Sequence, residues 1–439
     1  MAAPKRDDRL HDEPPKIDGR SKFERDRDRI LYTFAFRRLA GVTQVVEPVE
    51  GHIFHNRLTH TLEVAQIARR TAQRLLREQP KLARLHGGID PEVVEAAALA
   101  HDIGHPPFGH VAEDCLDDLV SACDPDGFEG NAQSFRVVCR LAAHREGYQG
   151  LNLTRATLRA ILKYPRHRPQ RRRRGHAIPK FGAYRSEGHE LREAMRLPGA
   201  SAAKSCEASI MDLADDIAYS VHDFDDFCRA GLIPVHYLRS SDDGFNQLCE
   251  RWIASKRVTR AEIAPQREWL NNFLHTLFID EPYVGTFDQR AELRSQTSQL
   301  IGRFVNAVEL DTRGDSAEPA RLKGQENWCV RLLKRVVWEF VIESPRLATI
   351  QNGQRAVIRG LFEDYLEAIQ QRNEGVIPPL FRNALSELPK RRARTSKPMP
   401  EESRLAADIV AHFSDEQAFR MFARLRGTAL SSVTDSIDA

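Results

Sequence analysis

The sequence concentrates its histidines in one region. Of the 16 histidines in 439 residues, seven fall between positions 52 and 110. These seven are His52, His55, His60, His86, His101, His105 and His110. Three of them lie with Asp102 in the ten-residue string HDIGHPPFGH, where two glycines and two prolines restrict the backbone. Imidazole and carboxylate groups held this closely serve no obvious packing purpose. They are typical of metal binding or proton transfer.

Four residues of suitable type could hold one metal ion. They are His60, His101, Asp102 and Asp215. Two imidazoles and two carboxylates suit Mn, Fe, Ni, Co or Mg better than a thiolate-bound structural zinc. Four protein ligands on an octahedral ion would leave positions for water and a phosphate oxygen, which hydrolysis requires. A single helical histidine more often packs in a core or faces solvent, so the prediction depends on the whole set.

The elements that must position these residues are predicted to be helices. Residues 57–78 show an amphipathic pattern with apolar residues at spacings of three and four. The apolar residues are Leu58, Leu62, Ala65, Ala68, Ala72 and Leu75. A second helix begins after Asp90, a good N-cap, and a third spans roughly residues 205–228 with Asp215 on its polar face. Because strand-like alternation is scarce, we predict an all-α fold.

Three regions are predicted along the chain. Residues 1–28 are charged and contain proline, which favours a mobile arm. Residues 29–230 are predicted to form a helical core that includes an arginine-rich loop at 166–174. Residues 231–439 are predicted to form a C-terminal helical region packed on that core.

Composition excludes several classes of protein. Hydrophobic residues make up 41% and charged residues 29%, as in a globular protein, and the net charge of +3 excludes a wholesale polycation. No apolar run approaches the roughly 18 residues of a membrane span, and the N-terminus lacks the apolar stretch of a secretory signal. The seven cysteines form no C-x-x-C pair. We therefore expect a cytoplasmic protein with reduced thiols and no membrane partner.

The order of the metal-ligand candidates resembles a known family signature. A histidine, an adjacent His-Asp pair and a later aspartate make up the H…HD…D pattern of the HD-domain metal-dependent phosphohydrolases. Longer strings between residues 24 and 230 resemble, more narrowly, the bacterial dGTPase-like deoxynucleotide triphosphohydrolases. These strings are RDRILYTFAFRRLAGVTQV, RLTHTLEVAQIAR, LAHDIGHPPFGHVAE, FEGNAQSFR, LKYP and MDLADDIAYSVHD. The resemblance implies an HD-domain helical core with additional C-terminal helices.

The same resemblance assigns the metal site. It implies a divalent ion on the four residues named above, with Mn²⁺ or Mg²⁺ preferred and Fe, Co or Ni as alternatives. Two adjacent aspartates compete for the last position. Family members carry a tyrosine four residues and an aspartate eight residues after the ligand, and Tyr219 and Asp223 stand at those distances from Asp215. Asp216 lacks these partners and lies about 100° further round the helix. We therefore choose Asp215.

The resemblance also implies a reaction, in which a dNTP and water give a deoxynucleoside and intact inorganic triphosphate. Water would attack the α-phosphorus, while His110 as imidazolium would donate a proton to the departing 5′-oxygen. Glu113, three residues on, would orient or protonate His110. His105 matches a position that contacts phosphate in the family, and Glu129 matches an acid behind the directly acting groups. The remaining histidines of the region are assigned no role: His52, His55 and His86.

Five further residues are candidates for substrate contacts. Arg57 lies one helical turn before the first ligand histidine and on nearly the same face, so it is predicted to bind the phosphate tail. Lys163 in the LKYP string is a second cation, and Gln44 would contact base or sugar. Tyr219 would stack against the deoxyribose and reject a ribose hydroxyl by sterics, with a core tyrosine as the alternative interpretation. Asp223 would accept from the 3′-hydroxyl.

The arginine-rich loop at 166–174 has two interpretations. One is a solvated, flexible insertion. The other is a contact for an effector dNTP or for single-stranded nucleic acid, through phosphate charge. Aromatic residues do not alternate with the arginines, which argues against a base-stacking platform. The resemblance further implies a homo-oligomer, a hexamer or a tetramer.

Two other functions stay open at this point. One keeps the HD site but acts on another nucleotide or on a nucleic-acid end. The other is a nucleotide-sensing or nucleic-acid-binding protein with a vestigial metal site, against which the complete ligand set argues. The chain departs from the family at Ile409, where tyrosine is usual, and at Val42, where lysine is frequent. These departures bear on substrate preference and regulation.

Overall fold

A computed structural model describes residues 4–14, 18–45, 55–169, 179–197, 204–234, 237–238, 242–277, 283–389 and 398–428. Within these ranges the chain is mostly helical, so the predicted all-α fold is confirmed. Two short strands, β1 (Val308–Leu310) and β2 (Ala320–Leu322), pair antiparallel with Leu310 opposite Ala320. None of the helices in the described part of the chain is long and apolar enough to cross a membrane.

The N-terminal half contains eleven described α-helices that surround the ligand candidates. They are α1 Lys22–Leu31, α2 Phe34–Arg38, α3 Arg57–Glu78, α4 Pro80–Leu85, α5 Pro91–Ala100, α6 His110–Ser121, α7 Gly130–Arg136, α8 Arg155–Ile161, α9 Gly188–Met195, α10 Cys206–Ala218 and α11 Phe224–Arg229. A π-helical turn at Val137–Leu141 follows α7. A second π-helical turn, Tyr219–Asp223, joins α10 to α11, so the predicted third helix is continuous but locally widened.

The C-terminal half is also built from helices. They are α12 Asp242–Ala254, α13 Arg260–Ile263, α14 Arg267–Thr276, α15 Phe287–Ala307, α16 Gly324–Val337, α17 Pro345–Gln370, α18 Pro379–Glu387, α19 Pro400–His412 and α20 Asp415–Leu425. A π-helical turn at Trp338–Ile342 extends α16. Helix α17 packs against α6, and residues of α6, α17, α19 and α20 share one apolar cluster. These C-terminal helices therefore pack on α6 of the core, while the bounds 231–439 of the C-terminal region stay a prediction.

Side-chain caps fix the starts of the three helices that carry the ligand candidates. Asn56 accepts the Thr59 N–H at 2.9 Å at the start of α3. Asp90 accepts the Glu92 N–H at 2.8 Å at the start of α5, and Ser205 caps α10. Each cap satisfies a backbone donor that would otherwise lack a partner in the first turn. All three helices begin where the sequence predicts.

Helix α3 packs against α5 and α10 in the main apolar cluster. Its buried face differs from the predicted apolar stripe, because Leu62 is 46% exposed. His60 and Thr61 are buried instead, at 1% and 0% exposure. The inward face of α3 is therefore partly polar, as a buried functional site requires.

The N-terminal segment differs from the predicted mobile arm where it is described. Arg9 donates to the buried carboxylate of Asp26 at 2.7 Å, and its backbone pairs with Thr154 as an isolated bridge. Helix α1 begins at Lys22, earlier than the predicted boundary. Arg6, Arg9 and Glu13 thus pair with charged groups of the fold, which composition alone does not reveal.

Candidate active site

Helices α3, α5 and α10 bring the four ligand candidates together. The His60 Nε2 atom lies 3.2 Å from Asp215 Oδ1. The His101 Nε2 atom lies 3.3 Å from Asp102 Oδ1 and 3.8 Å from Asp215 Oδ1. Ligand atoms of His60, His101 and Asp215 all lie within 4.8 Å of one another. Residues that are up to 155 positions apart in the chain therefore face one small volume.

His101 is oriented as a metal ligand would be. Its Nδ1 atom lies 2.6 Å from the Ala98 carbonyl oxygen, which can only accept, so Nδ1 carries the proton. The Nε2 atom therefore presents a lone pair, and it is buried with no hydrogen-bond partner among the described residues. A buried acceptor without a donor is costly. A divalent cation at this position would satisfy it, so the donor set fits a metal ion.

Both carboxylates of the cluster are held in the ionised form. Burial would raise the pKa of Asp102, but the positive charge of Arg57, which donates to this carboxylate, acts against it, and that pKa stays well below the ordinary value. Burial acts in the same direction on Asp215, and Lys163 lowers the pKa of that carboxyl well below the ordinary value. Metal ligands must be deprotonated, so this charge arrangement suits metal binding.

The structure separates the two adjacent aspartates of α10. Asp216 is not part of the group formed by His60, His101 and Asp215, and its Oδ1 accepts from Lys334 Nζ at 2.6 Å. Asp215 contacts both histidines of the cluster. The geometry therefore favours the choice of Asp215 made from the spacing of Tyr219 and Asp223.

The turn before α6 projects His110 toward open space. Phe108 and Gly109 both have positive φ, 64° and 61°, which turns the chain sharply into the helix. The His110 side chain is 67% exposed, and its Nδ1 lies 2.7 Å from Glu113 Oε2. Burial would raise the pKa of Glu113, but the hydrogen bond from His110 lowers it. The ionised Glu113 thus accepts from Nδ1 and leaves Nε2 of His110 available.

Glu113 is itself fixed by the backbone, since its Oε1 accepts the Gly130 N–H at 2.8 Å. His105 lies beside the metal cluster, with Nδ1 3.2 Å from Asp102 Oδ1. Burial lowers the pKa of His105 to about 3, so its imidazole is neutral. A neutral His105 would contact a phosphate through an N–H group rather than through charge.

Glu129 caps helix α7 behind these groups. Its Oε2 accepts the Ala132 N–H at 3.0 Å, and its Oε1 accepts from Asn131 Nδ2 at 2.7 Å. Burial and the nearby charge of Glu113 raise its pKa from 4.5 to about 7. The folded protein therefore holds a proton on Glu129 in a pH range where the unfolded chain has lost it.

This shift predicts a pH dependence of stability. The Glu129 contribution is fully present below about pH 4.5 and is lost as pH rises to about 7. Glutamine resembles the protonated form, so the free energy of unfolding of the wild type should fall relative to Glu129→Gln over that interval. Urea unfolding at pH 5, 6, 7 and 8 measures this difference. The exposed Glu146→Gln variant is the control, and parallel pH curves for wild type and Glu129→Gln would contradict the prediction.

A cavity of about 860 Å³ opens beside the metal cluster. The predicted site residues that line it are Gln44, Arg57, His101, Asp102, His105, His110, Glu113, Glu129, Lys163, Asp215 and Tyr219. Asp223, predicted to accept from the sugar, is not among the lining residues. It is buried, its Oδ2 has no partner among the described residues, and burial raises its pKa well above the ordinary value.

The two predicted phosphate cations contact carboxylates of the candidate metal ligands. Arg57 is 2% exposed and donates to Asp102, and its Nε donates to the Thr43 carbonyl at 3.3 Å. Lys163 Nζ lies 3.1 Å from Asp215 Oδ2. Both also line the cavity, so each can share its charge between a ligand carboxylate and a bound anion.

Sequence reasoning missed the far wall of the cavity, which comes from the C-terminal half. The guanidinium of Arg257 lies 4.1 Å from the ring centre of Trp338, and Lys334 lies 5.6 Å from that of Tyr219. In the sequence these basic residues resemble ordinary solvated surface charges, and no local pattern distinguishes them. They add positive charge and aromatic surface to the cavity.

Asp415 was missed as well, although it ends the DIVAHFSD string. Its Oδ1 accepts the Phe108 N–H at 2.8 Å, and its Oδ2 accepts the Thr43 N–H at 2.9 Å. The Thr43 hydroxyl donates to the same oxygen. Asp415 thus fastens two cavity segments, the one carrying Gln44 and the turn before His110.

The arginine-rich loop is described only in part, because residues 170–174 and also His52 lie outside the described residues. Arg168 is not an exposed loop residue, since it is 8% exposed. Its Nη2 lies 3.0 Å from Asp117 Oδ2, and its Nη1 donates to the Asp126 carbonyl at 3.1 Å. The prediction of an exposed residue failed here because Arg168 pairs with a carboxylate that is distant in the sequence.

Comparisons with known proteins agree with this geometry. The HD domain family matches residues 57–220, which contain all four ligand candidates. A phosphohydrolase-associated domain matches residues 323–424, which contain Lys334, Trp338 and Asp415. Each matched region thus contributes residues to the cavity, while Gln44 and Arg257 of its lining lie outside both.

Curated relatives match almost the whole chain. A deoxyguanosinetriphosphate triphosphohydrolase-like protein of Streptomyces coelicolor is 38% identical over 94% of this chain and 95% of its own length. A protein of the same description from Corynebacterium efficiens is 38% identical over 82% of this chain and 84% of its own. A third, from Mesorhizobium japonicum, is 31% identical over 97% of this chain and 98% of its own. The chain belongs to the dGTP triphosphohydrolase-like family of metal-dependent HD-domain phosphohydrolases.

Proposed function

We propose that this protein hydrolyses deoxynucleoside triphosphates, dGTP first among them, to deoxynucleoside and inorganic triphosphate, and so controls dNTP pools. The observation that carries the proposal is the cluster of His60, His101, Asp102 and Asp215, the first three of them buried, beside a cavity of about 860 Å³. Its walls carry lysine and arginine side chains suited to a polyanion. The relatives' description supports dGTP as the first substrate to test.

The bound ion is proposed to be Mn²⁺ or Mg²⁺, held by the four residues of the cluster. When bound, it supplies Lewis-acid activation of water and of a phosphoryl oxygen. The mixed imidazole and carboxylate ligands fit such ions, with Fe, Co or Ni as alternatives. Arg57 and Lys163 stay paired to two ligand carboxylates and limit the negative charge that the substrate meets.

The chain's own groups perform the proton transfer and the positioning. His110 Nε2 is proposed to protonate the departing 5′-oxygen, while Glu113 holds Nδ1 and stabilises the imidazolium. His105 donates to a phosphate oxygen. Tyr219, on the cavity wall, is proposed to lie under C2′ of the sugar, and Gln44 to contact base or sugar. Asp223 does not line the cavity, so neighbouring groups must move before it can be reached. It is then proposed to accept a hydrogen bond from the 3′-hydroxyl.

Replacing the proposed proton donor should slow turnover without removing the metal. His110→Gln keeps a polar group of similar size, but the amide is not acidic enough to protonate the leaving oxygen. The value of kcat should therefore fall by about 10²–10⁴. Metal content and KM should stay near the wild-type values, as measured by steady-state kinetics and elemental analysis. The exposed His189→Gln variant is the matched control. An unchanged kcat in His110→Gln would exclude this role.

The substrate assignment is tested by incubating the protein with each of the four dNTPs and with GTP, in Mn²⁺ or Mg²⁺. Deoxynucleoside and triphosphate from at least dGTP are expected, with GTP a poorer substrate because Tyr219 crowds a 2′-hydroxyl. Release of diphosphate or monophosphate would instead support an HD phosphohydrolase of other specificity. Absence of turnover with every nucleotide would support a binding protein.

Assembly and regulation are part of the proposal. A homo-oligomer, hexamer or tetramer, in the cytoplasm is expected from the family resemblance. The 166–174 loop is proposed either as a solvated insertion or, in the functional interpretation, as a contact for an effector dNTP or for single-stranded nucleic acid. Light scattering measures the oligomer. A rate on dGTP that rises when a second dNTP is added reveals an effector site, and a rate that rises with single-stranded DNA supports the alternative.

A further inference from the structure

A second group of metal-ligating side chains lies outside the active-site cavity. It consists of His55, Glu63 and His222, with Asp226 beside them. Glu63 lies on α3, His222 in the π-helical turn and Asp226 on α11. None of the four lines the cavity. The function proposed above makes no use of them.

The contacts within this group are close and converge on Glu63. The His55 Nε2 atom lies 3.1 Å from Glu63 Oε1, and His222 Nδ1 contacts the other oxygen, Oε2. The two imidazole rings stack with their centres 5.4 Å apart and 18° between their planes. One ligand atom from each of the three residues lies within 4.8 Å of the others.

We propose that His55, Glu63 and His222 form a second divalent-metal site, with Zn²⁺ as the preferred ion. Zinc bonds of about 2.0–2.2 Å place neighbouring ligand atoms of a tetrahedral site roughly 3.5 Å apart. The His55 Nε2–Glu63 Oε1 distance of 3.1 Å is close to this value, and the three ligand atoms lie within 4.8 Å of one another. Two imidazoles and one carboxylate are a common zinc donor set. His55 and Glu63 are 26% and 30% exposed, so an ion can enter and a water can complete the tetrahedron.

Asp226 supplies the support that a ligand histidine needs. Its Oδ2 lies 2.6 Å from His55 Nδ1 and also accepts the His55 backbone N–H at 2.7 Å. This carboxylate fixes the ring so that Nε2 faces Glu63. Metal-bound histidines usually donate their other ring N–H to such a partner.

The charges and protons balance for a divalent ion. The carboxylates of Glu63 and Asp226 offset its two positive charges. Without the ion, Glu63 accepts an N–H from His55 Nε2. Binding of the metal ion to His55 Nε2 displaces that proton to solvent. On His222 the metal ion binds Nδ1, and the ring proton resides on Nε2. Because metal competes with at least one proton, zinc affinity should fall as pH falls.

The proposed ion would join parts of the chain that border the active site. His55 directly precedes the cap of α3, and His222 follows Tyr219 by three residues in the π-helical turn. Zinc would therefore tie the start of the helix that carries His60 to the segment that carries Tyr219. Binding to the folded state alone raises stability, so zinc should raise the melting temperature.

The test removes the active-site metal first. In an Asp102→Asn/Asp215→Asn background, equilibrium dialysis against ZnCl₂ followed by elemental analysis should find roughly one zinc per chain, as a single tetrahedral site predicts. Adding His55→Gln should lower bound zinc at least tenfold. Cobalt in place of zinc should show the visible absorption of a tetrahedral site in the background protein and lose it with His55→Gln.

Matched variants separate ligand loss from misfolding. His189→Gln, an exposed histidine, should leave the zinc content unchanged, and circular dichroism confirms that each variant is folded. Should His55→Gln fail to fold, Glu63→Gln takes its place. A background protein that binds no zinc, or zinc that persists after His55→Gln, would overturn the proposal. Dialysis measures bound metal rather than dNTP hydrolysis, so its result is independent of the proposed catalytic function.

Discussion

Asp102→Asn should abolish hydrolysis, lowering kcat/KM by at least about a thousandfold, because a metal ion supplies several kcal/mol of transition-state stabilisation. The amide is nearly isosteric but carries no charge, so the cluster loses one of its two carboxylates. Arg57, 2% exposed and paired with Asp102, would then lack its counter-charge. The variant should therefore lose both metal affinity and some stability.

The matched control is Asp216→Asn on α10. Asp216 pairs with Lys334 and does not contact the histidines, so its substitution should leave metal content within about twofold of the wild type, as expected for an exposed ion pair. Elemental analysis and dNTP turnover measured on both variants make the comparison. Full activity and full metal content in Asp102→Asn would refute the proposed metal site.

Gly104→Ala should be the most destabilising small substitution near the site. A Cβ at this position would lie 2.1 Å from the backbone nitrogen of Ser134 and 2.4 Å from the carbonyl carbon of Gln133. The obstacle is the backbone of α7, which cannot rotate away as a side chain can. The Gly104 N–H also donates to the Ser134 hydroxyl at 3.0 Å, and that hydroxyl donates to the His101 carbonyl. We expect a loss of at least about 3 kcal/mol.

Urea unfolding of Gly104→Ala against wild type measures this loss. Gly302→Ala is the matched control, since it lies within α15 and an added Cβ meets no atom within 4 Å. That control should gain up to about 1 kcal/mol from higher helix propensity. The same small change in the free energy of unfolding for both variants would contradict the close packing of Gly104 against α7.

Much of the local structure follows from sequence because its causes are local. Periodicity predicts where α3 and α10 begin, and the cap at Asp90 predicts the start of α5. The metal candidates could also be selected, since His101 and Asp102 are adjacent and the pattern of the whole set resembles a family signature. The prediction of the buried face of α3 was only partly correct, because Leu62 is exposed while His60 is buried.

The remaining site residues depend on contacts between segments far apart in the chain. Asp415 reaches Thr43 and Phe108 across 372 and 307 positions, and periodicity carries no trace of such a contact. His55 was assigned no role because a histidine near a helix start is unremarkable alone. Only its proximity to Glu63 and Asp226 identifies it as part of a cluster, and those residues come from two segments far apart in the chain.

The central claim is that water attacks the α-phosphorus of a dNTP and that the 5′-oxygen departs. Hydrolysis of dGTP in ¹⁸O-labelled water with Mn²⁺, followed by mass spectrometry of the products, tests it most directly. The account predicts one labelled oxygen in intact triphosphate and none in deoxyguanosine. Label in deoxyguanosine, or release of diphosphate or monophosphate in place of triphosphate, would contradict it.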